Sequence, residues 1–225
     1  MSAFSSFFHR APAGQAGIVK LIIGLGNPGS GYGRNRHNIG FMCVNRLAKD
    51  IGAGFDKKEG LARTAHGSMG STRVVLARPQ TYMNLSGRAV IKLVEKYKPG
   101  PDGLIVVHDD MDLRLGQIRI RKGGRSGGHR GIESIICELR SEDFIRVRVG
   151  VGRPEPESPA AKQAAVVGFV LEDFSDDESR VIADTIPQVS FAVKTILSDG
   201  LEAAMNRFNR TPKSPGEKQI IEEGK

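Results

Sequence analysis

The sequence predicts a single-domain α/β fold in which three layers, α/β/α, are built around a twisted mixed sheet that is mostly parallel. Its 225 residues, 39% of them hydrophobic, are enough to bury one sizeable core. Runs typical of strands lie at 18–24, 72–78, 104–108, 117–122 and 144–151, with a weaker one near 61–68. Apolar residues at the three- and four-residue spacing of helices fill the gaps, at 38–51, 85–97, 130–140, 176–197 and 199–208. Strands that alternate with helices indicate a layered sheet whose sites lie at the carboxyl ends of its strands.

Each element has its own local signal. The first strand ends in glycines, and the helix after it repeats apolar residues such as Phe41 and Leu47 on one face. The run 104–107 is continuously apolar, as in a strand covered on both faces. In the last two strands isoleucine or valine alternates with arginine, so that each strand presents an arginine face. Ser175 and Glu178 form a capping box that predicts the start of the last long helix.

Three segments are expected along the chain: a flexible leader at 1–17, one folded domain at 18–208 and a disordered tail at 209–225. The leader has no acidic residue and one fixed positive charge, Arg10, which is only faintly typical of an organelle transit peptide. We find no secretory signal and no apolar run long enough for a membrane span. We therefore expect a cytoplasmic protein, with mitochondrion or plastid as the minor alternative.

Charge and cysteine content narrow the function further. Lys and Arg number 33 against 25 Asp and Glu, which gives a net charge of +8 and a pI near 9.7. This excess indicates a polyanionic partner, nucleic acid before membrane. Cys43 and Cys137 lie in helical patterns without the spacing of Cys/His metal ligands. They favour neither a disulfide framework nor a zinc site, and they indicate a reducing compartment.

His37 is the candidate general base. It lies in a glycine-rich loop after the first predicted strand, and histidine readily takes a proton near neutral pH. Residues 24–29, Gly-Leu-Gly-Asn-Pro-Gly, also fit the turn of a dinucleotide site. We reject that interpretation because residues 30–33 prolong the loop where the motif needs a helix, and because Asp50 follows a helix instead of a strand.

An acidic turn, His108-Asp109-Asp110-Met111-Asp112, begins where the apolar strand stops. One of its carboxylates is able to hydrogen-bond His37 and to stabilise the imidazolium that forms after proton abstraction. Two other interpretations stay open, a solvated turn without chemistry and a divalent metal site built on the aspartates. The metal site ranks below the histidine–carboxylate pair because neighbouring Asp109 and Asp110 diverge and no second acidic cluster completes the coordination shell.

Asn84 lies in the segment 81–87, Thr-Tyr-Met-Asn-Leu-Ser-Gly, between a predicted strand and a predicted helix. One interpretation is a helix N-cap, a common use of asparagine. The other is a substrate contact, in which the donor and acceptor ends of the amide hold a peptide-like group.

A glycine-rich basic loop at 122–131, Lys-Gly-Gly-Arg-Ser-Gly-Gly-His-Arg-Gly, precedes the third predicted helix. Its backbone amides are able to surround an anion. The arginine faces of the two flanking strands adjoin it, Arg119 and Arg121 on one, Arg146 and Arg148 on the other. A solvated strand face explains one such arginine pattern. Two arginine patterns beside a basic loop favour a surface that binds successive phosphates of a nucleic acid.

Taken together, four motifs resemble those of the bacterial-type peptidyl-tRNA hydrolases. In the family's order they are Gly26-Asn27-Pro28-Gly29 with Tyr32 and Arg36-His37-Asn38, Tyr82-Met83-Asn84-Leu85-Ser86-Gly87, His108-Asp109-Asp110-Met111-Asp112, and Gly127-Gly128-His129-Arg130-Gly131. The resemblance covers residues 18–208 and implies a carboxylic ester hydrolase. Such an enzyme cleaves the ester between a peptide, or an N-blocked aminoacyl group, and the tRNA 3′ end without metal or cofactor. It thereby recycles tRNA from prematurely released peptidyl-tRNA.

The resemblance also implies roles for residues that match the motifs. His37 would activate water and Asp109 would orient His37. Asn27 would contact the peptide near the scissile ester and favour a blocked amino group. The remaining substrate- or tRNA-binding positions would be Tyr32, Tyr82, Asn84, Arg121, His129, Arg130 and Arg148, of which Arg121 and Arg148 would contact phosphates.

The chain departs from the family pattern at two of these motif positions. Asp110 stands where the family usually has glutamate, and Arg130 stands where it usually has asparagine. A guanidinium donates hydrogen bonds but cannot accept one. The alternative function is therefore a non-hydrolytic RNA-binding factor of the same fold. In either case we expect tRNA, bound through its acceptor stem and 3′ end, as the partner of a monomer that contacts no membrane.

Overall fold

Seven strands form one mixed sheet in the order β2-β3-β4-β1-β5-β7-β6. The computed structural model describes residues 19–100, 102–154 and 162–210. The strands are β1 (Val19–Gly24), β2 (Lys57–Glu59), β3 (Ala62–Met69), β4 (Thr72–Pro79), β5 (Leu104–Asp110), β6 (Ile118–Lys122) and β7 (Ile145–Gly150). The neighbours β4, β1, β5 and β7 are parallel, whereas β3 and β6 run against them. Since β2 pairs antiparallel with β3, five of the seven strands share one direction, which confirms the mostly parallel sheet.

Six α-helices lie within the described residues. They are α1 (Ile39–Asp50), α2 (Ser86–Tyr97), α3 (Arg130–Leu139), α4 (Lys162–Leu171), α5 (Asp176–Ser198) and α6 (Leu201–Phe208). One face of the sheet packs against α1, α5 and α6, and the other packs against α2 and α3. This arrangement confirms the predicted three-layer α/β/α fold. The predicted leader and most of the predicted tail lie outside the described residues.

The alternation of β1 shows how the strands separate the two cores. Ile22 faces the core under α1, while Leu21 and Ile23 face the core under α2 and α3. All three side chains are fully buried, because helices cover both faces of a central parallel strand. The continuous apolar run of β5 has the same explanation.

Two elements were missing from the sequence prediction. The strand β2 has three residues, Lys-Lys-Glu, and therefore no apolar alternation. The helix α4 has the sequence Lys-Gln-Ala-Ala-Val-Val-Gly-Phe-Val-Leu, which is apolar on nearly all sides and lacks the polar face that makes helical spacing visible. The capping box predicted from Ser175 and Glu178 is present at the start of α5.

A close backbone contact brings the start of α1 to the carboxyl ends of β1 and β5. A Cβ atom on Gly40 would lie 2.4 Å from Leu25 N and 2.4 Å from Val107 O, so that only glycine fits. A hydrogen bond from Phe41 N to Leu25 O, 3.1 Å long, stabilises the same contact. Residues 36–38, a 3₁₀ turn directly before α1, are thereby placed beside the end of β5. This turn carries His37.

Candidate active site

A cavity of about 650 Å³ opens at the carboxyl ends of the parallel strands. It brings together all ten residues that the sequence predicted for the site: Asn27, Tyr32, His37, Tyr82, Asn84, Asp109, Arg121, His129, Arg130 and Arg148. They come from the loops after β1 and β4, the end of β5, the strands β6 and β7, and the start of α3 with the loop before it. Their convergence agrees with the expectation that sites in layered α/β sheets lie at this edge.

His37 and Asp109 form a buried hydrogen-bonded pair in the cavity wall. His37 Nδ1 donates to Asp109 Oδ1 over 2.8 Å, and the two residues are 9% and 3% exposed. Because Nδ1 carries the proton in this bond, Nε2 is left with a free lone pair in the neutral ring. The pair has the geometry of a general base held by an orienting carboxylate.

His129 is the second histidine on the same carboxylate oxygen. Its Nδ1 accepts hydrogen bonds from the backbone N–H groups of Gly131 and Ile132, at 3.1 and 3.2 Å, and so caps α3. A nitrogen that accepts two N–H groups carries no proton, so the proton of the neutral ring lies on Nε2. That nitrogen donates to Asp109 Oδ1 over 2.9 Å. Both ring nitrogens of His129 therefore have protein partners, which gives the residue a role in holding Asp109.

The charges of this group stabilise one another. Burial raises the pKa of Asp109, but the charges and hydrogen bonds of His37 and His129 outweigh it and hold that pKa well below its ordinary value. Burial lowers the pKa of His37, the charge and hydrogen bond of Asp109 raise it more, and Arg130 lowers it in turn. The net pKa of His37 is raised. Asp109 is thus ionised, and His37 is a stronger base than a free imidazole.

His108 supports the same strand end without taking part in the pair. It is fully enclosed, and its Nδ1 donates to the backbone carbonyl of Asp109 over 2.7 Å. Burial, followed by the charge of His129, lowers the pKa of His108 well below its ordinary value. The ring stays neutral and packs edge-on against His129, with 4.7 Å between the ring centroids.

His37, Asp109 and His129 have ligand atoms within 4.8 Å of one another, a spacing that is compatible with a metal ion. The hydrogen bonds argue against that use. His129 Nε2 carries a proton as long as Nδ1 caps α3, and a protonated nitrogen offers no lone pair to a metal. The other metal interpretation, built on the aspartates of the turn, is disfavoured because a metal would have to displace Arg148 from Asp110 and Arg153 from Asp112.

Asn27 has a fixed amide orientation. Its Oδ1 accepts from Met83 N over 2.8 Å, while its backbone is held by two bonds with the side chain of Asn38. The Nδ2 end makes no hydrogen bond with any residue in the described ranges and lies in the cavity wall. Asn27 therefore offers the cavity a donor, because its acceptor is already occupied.

Asn84 is not a helix cap. It lies in the middle of a 3₁₀ turn, residues 83–85, and the first residue before α2 is Leu85, which has no side-chain cap. The side chain of Asn84 is exposed at the cavity, and the second interpretation of this residue, a substrate contact, stays a prediction. Tyr82, 61% exposed, forms the rim beside it.

The lining of the cavity is strongly basic. Besides Arg121, Arg130 and Arg148, it contains Arg125, Arg146 and Arg153, which had not been assigned to the site. Arg146 is 2% exposed and donates to the carbonyls of Gly124 and Arg125, so it fastens the glycine-rich loop. The period-two arginine pattern already pointed to Arg146, whereas no sequence signal singled out the loop contact.

Arg36 holds the turn that carries His37, a positioning contact that the sequence analysis did not predict. It is 6% exposed, donates to Phe169 O over 3.1 Å and to Glu178 Oε2 over 2.7 Å, and stacks on the Phe169 ring. These contacts join the turn that carries His37 to α4, which supplies Val167, Val170 and Leu171 to the cavity. Only the position of Arg36 next to His37 hinted at this role.

With this geometry in place, comparison with known proteins identifies the family. The family model described as peptidyl-tRNA hydrolase matches residues 21–216. The chain belongs to the peptidyl-tRNA hydrolase family. This confirms the resemblance seen in the four motifs.

Two curated relatives and one solved structure illustrate the match. The peptidyl-tRNA hydrolases of Dehalococcoides mccartyi (strain CBDB1) and Aquifex aeolicus are 46% and 43% identical over 191 and 192 residues. Each alignment covers 85% of this chain, and 100% and 97% of the respective relative. The crystal structure of peptidyl-tRNA hydrolase from Acinetobacter baumannii superposes with a TM-score of 0.77 at 33% identity, covering 87% of this chain and 97% of that one. No helix of the described residues is long and apolar enough to cross a membrane.

The opposing influences of Asp109 and Arg130 on His37 lead to a titration prediction. Asp109→Asn removes the charge that raises the pKa of His37, so that pKa should fall. Arg130→Asn removes a charge that lowers it, so that pKa should rise. NMR titration of the His37 ring measures both shifts. Arg88→Asn, an exposed arginine on α2 outside the cavity, is the control and should leave the titration unchanged. Shifts in the reverse directions would contradict this electrostatic assignment.

Proposed function

We propose that His37 and Asp109 carry out the family's reaction in this chain, hydrolysis of the ester between a peptide or N-blocked aminoacyl group and the 3′-terminal ribose of tRNA. The observation that carries the proposal is the 2.8 Å hydrogen bond from His37 Nδ1 to buried Asp109, in a cavity shared with the eight other predicted site residues. Family membership supports peptidyl-tRNA as the substrate.

In the proposed mechanism, His37 Nε2 takes a proton from a water molecule as the water oxygen attacks the ester carbonyl carbon. Asp109 stabilises the imidazolium that forms. The tetrahedral intermediate then breaks its bond to the ribose 3′ oxygen, which receives the proton from His37. The products are a peptide with a free carboxyl group and a tRNA with a free 3′ hydroxyl.

We assign the preference for blocked substrates to Asn27. Its free Nδ2 donates to the carbonyl oxygen of the group that blocks the amino nitrogen. An unblocked aminoacyl group has no such oxygen. Its ammonium has only hydrogen-bond donors, so it cannot accept a hydrogen bond from Asn27 Nδ2. Binding energy from this hydrogen bond is then available to the blocked substrate alone.

Arg130 tunes the base. Its positive charge lowers the pKa of His37 and so keeps more of the ring unprotonated near neutral pH. It forms no ion pair within the described part of the chain, and its N–H donors are available to the 3′-terminal nucleotide. The guanidinium takes over the donor function of the family's asparagine but not its acceptor function.

The rest of the tRNA would lie along the basic lining of the cavity. Arg121 and Arg148 contact phosphates of the acceptor stem, and the exposed ring of Tyr82 stacks on a base. Tyr32 and Asn84 hold the peptide and the terminal adenosine. His129, whose nitrogens are occupied, acts on the substrate only through Asp109. We propose that the protein works as a monomer in the cytoplasm, with no cofactor and no membrane contact.

The alternative function, an RNA-binding factor without hydrolysis, is tested by the same assay as the mechanism. His37→Ala should lower kcat for a blocked aminoacyl-tRNA by about 10²–10⁴-fold, because it removes the proton acceptor, while the affinity for tRNA stays nearly unchanged. His66→Ala, a histidine on β3 outside the cavity, is the control and should retain activity. Wild-type turnover in His37→Ala would place the base elsewhere, and no turnover in the wild type would favour the alternative.

The role of Asn27 is tested by a matched pair of variants. Asn27→Asp keeps the acceptor for Met83 N and removes the donor, whereas Asn27→Ala removes both. Each variant should lower the ratio of kcat/KM for N-acetylated over free aminoacyl-tRNA by about tenfold, because that factor corresponds to the free energy of one hydrogen bond. Asn27→Asp should lower the ratio further, because its carboxylate attracts the ammonium of the free aminoacyl group. If both ratios stay at the wild-type value while activity falls on both substrates, Asn27 serves the turn and not selectivity.

A further inference from the structure

Arg146 donates to backbone carbonyls, and the five other arginines of the cavity fall into two groups by their partners. Arg148 and Arg153 each pair with a carboxylate of the turn that follows β5. Arg121, Arg125 and Arg130 form no ion pair with any residue that the structure describes. All five line the same cavity.

The pair between Arg148 and Asp110 is held firmly. Arg148 Nε donates to Asp110 Oδ2 over 2.5 Å, and the side chains are 23% and 12% exposed. The other carboxylate oxygen, Oδ1, accepts from Asp112 N over 2.9 Å, so both oxygens of Asp110 are fixed. The pair of Arg153 with Asp112 differs, since both of its side chains are more than half exposed and such a pair contributes little.

The surroundings of Arg148 are crowded with positive charge. Arg146 lies two residues before Arg148 on the same strand, and Arg121 is the cross-strand neighbour of Arg146. Burial, followed by the charges of Arg121 and Arg148, lowers the pKa of Arg146 to about 10. Asp110 is the one carboxylate among the described residues that pairs with this cluster of Arg121, Arg146 and Arg148. Glu142 acts on Arg146 through its charge alone and raises the pKa of that residue. Asp110 therefore supplies the directly hydrogen-bonded counter-charge of the cluster when no RNA is bound.

Carboxylate and phosphate bind a guanidinium in the same way, through charge-assisted hydrogen bonds from the planar N–H fork. A phosphate that approaches Arg148 therefore meets a side chain that already has an anionic partner. The binding free energy that the phosphate gains is only the difference between the Arg148–phosphate pair and the Arg148–Asp110 pair. An RNA that contacts Arg148 alone gains little, whereas one that also reaches the three unpaired arginines binds well.

We propose that Asp110 is a specificity-determining residue, an internal counter-ion that occupies Arg148 in the free protein and gives way to a tRNA phosphate. This inference rests on the proposed function, because it takes tRNA to be the ligand of the cavity. It goes further by stating what keeps other RNA out. The acidic residue lowers the affinity for any RNA that presents phosphate to Arg148 without the remainder of the acceptor end.

The experiment measures the binding of deacylated tRNA to the full-length chain over a range of salt concentrations. Asp110→Asn keeps the acceptor for Asp112 N and removes the charge. The variant should bind tRNA about fivefold more tightly at low salt, which is the effect of one unit charge at about 4 Å in water. The slope of log K against log salt should become steeper by a little under one, because Arg148 then neutralises one phosphate in full. The affinity of Asp110→Asn for a single-stranded oligonucleotide without an acceptor stem should rise by at least the same factor.

Two further variants show whether the effect acts through Arg148. Asp177→Asn removes an aspartate that pairs with Arg180 on the exposed surface of α5, and it should leave the affinity for tRNA unchanged. In the Arg148→Ala background, Asp110→Asn should lose its effect on the salt slope and most of its gain in affinity, since the partner of the charge is gone.

Unchanged or weaker binding by Asp110→Asn would overturn the proposal, and so would a gain of the same size in the Arg148→Ala background or no gain for the oligonucleotide. Hydrolysis is measured separately on the wild type. If the wild type hydrolyses peptidyl-tRNA but Asp110→Asn shows no gain in binding, only this inference fails. If the gain is present but the wild type does not hydrolyse, only the proposed function fails.

Discussion

The site depends on one buried carboxylate, Asp109, whose Oδ1 accepts hydrogen bonds from two histidines. An isolated buried carboxylate would be protonated, because burial penalises its charge. Here the two N–H donors keep it ionised, and the ionised carboxylate in turn raises the pKa of His37. Removing one partner of such a buried group typically costs 3–5 kcal/mol, so the three side chains are expected to behave as a unit.

Three parts of the fold meet at this carboxylate. The sheet supplies Asp109 at the end of β5, and the close approach at Gly40 brings the turn with His37 to it. The N-terminus of α3 supplies His129 and also fixes its proton, because the orphan N–H groups of the first helical turn occupy Nδ1. The start of α3 thus determines which nitrogen of His129 donates to Asp109. Arginines on β6 and β7 continue the period-two pattern of their strands and line the same cavity.

Much of this could be predicted from sequence. The strands and most helices have strong local periodicity, and the parallel topology brings strand ends together, so the ten predicted residues share one cavity. What could not be predicted rests on tertiary contacts. Helix α4 has no polar face in its sequence, and the clamp between Arg36 and this helix joins residues more than a hundred positions apart. The double role of His129 depends on backbone N–H groups that only the folded start of α3 presents. For Asn84, the local sequence allowed a helix cap as well as a substrate contact. The 3₁₀ turn before α2 excludes the cap.

The proton positions on His37 and His129 show whether Asp109 accepts a hydrogen bond from both rings. The ¹⁵N chemical shifts of the imidazole rings at a pH where both are neutral distinguish the Nδ1–H from the Nε2–H form. We expect opposite forms for the two rings, with the proton of His37 on Nδ1 and that of His129 on Nε2, both directed at Asp109. A proton on Nε2 of His37 would break its donation to Asp109, and a proton on Nδ1 of His129 would break the contact of His129 with α3. Either result would show that Asp109 does not accept hydrogen bonds from both rings.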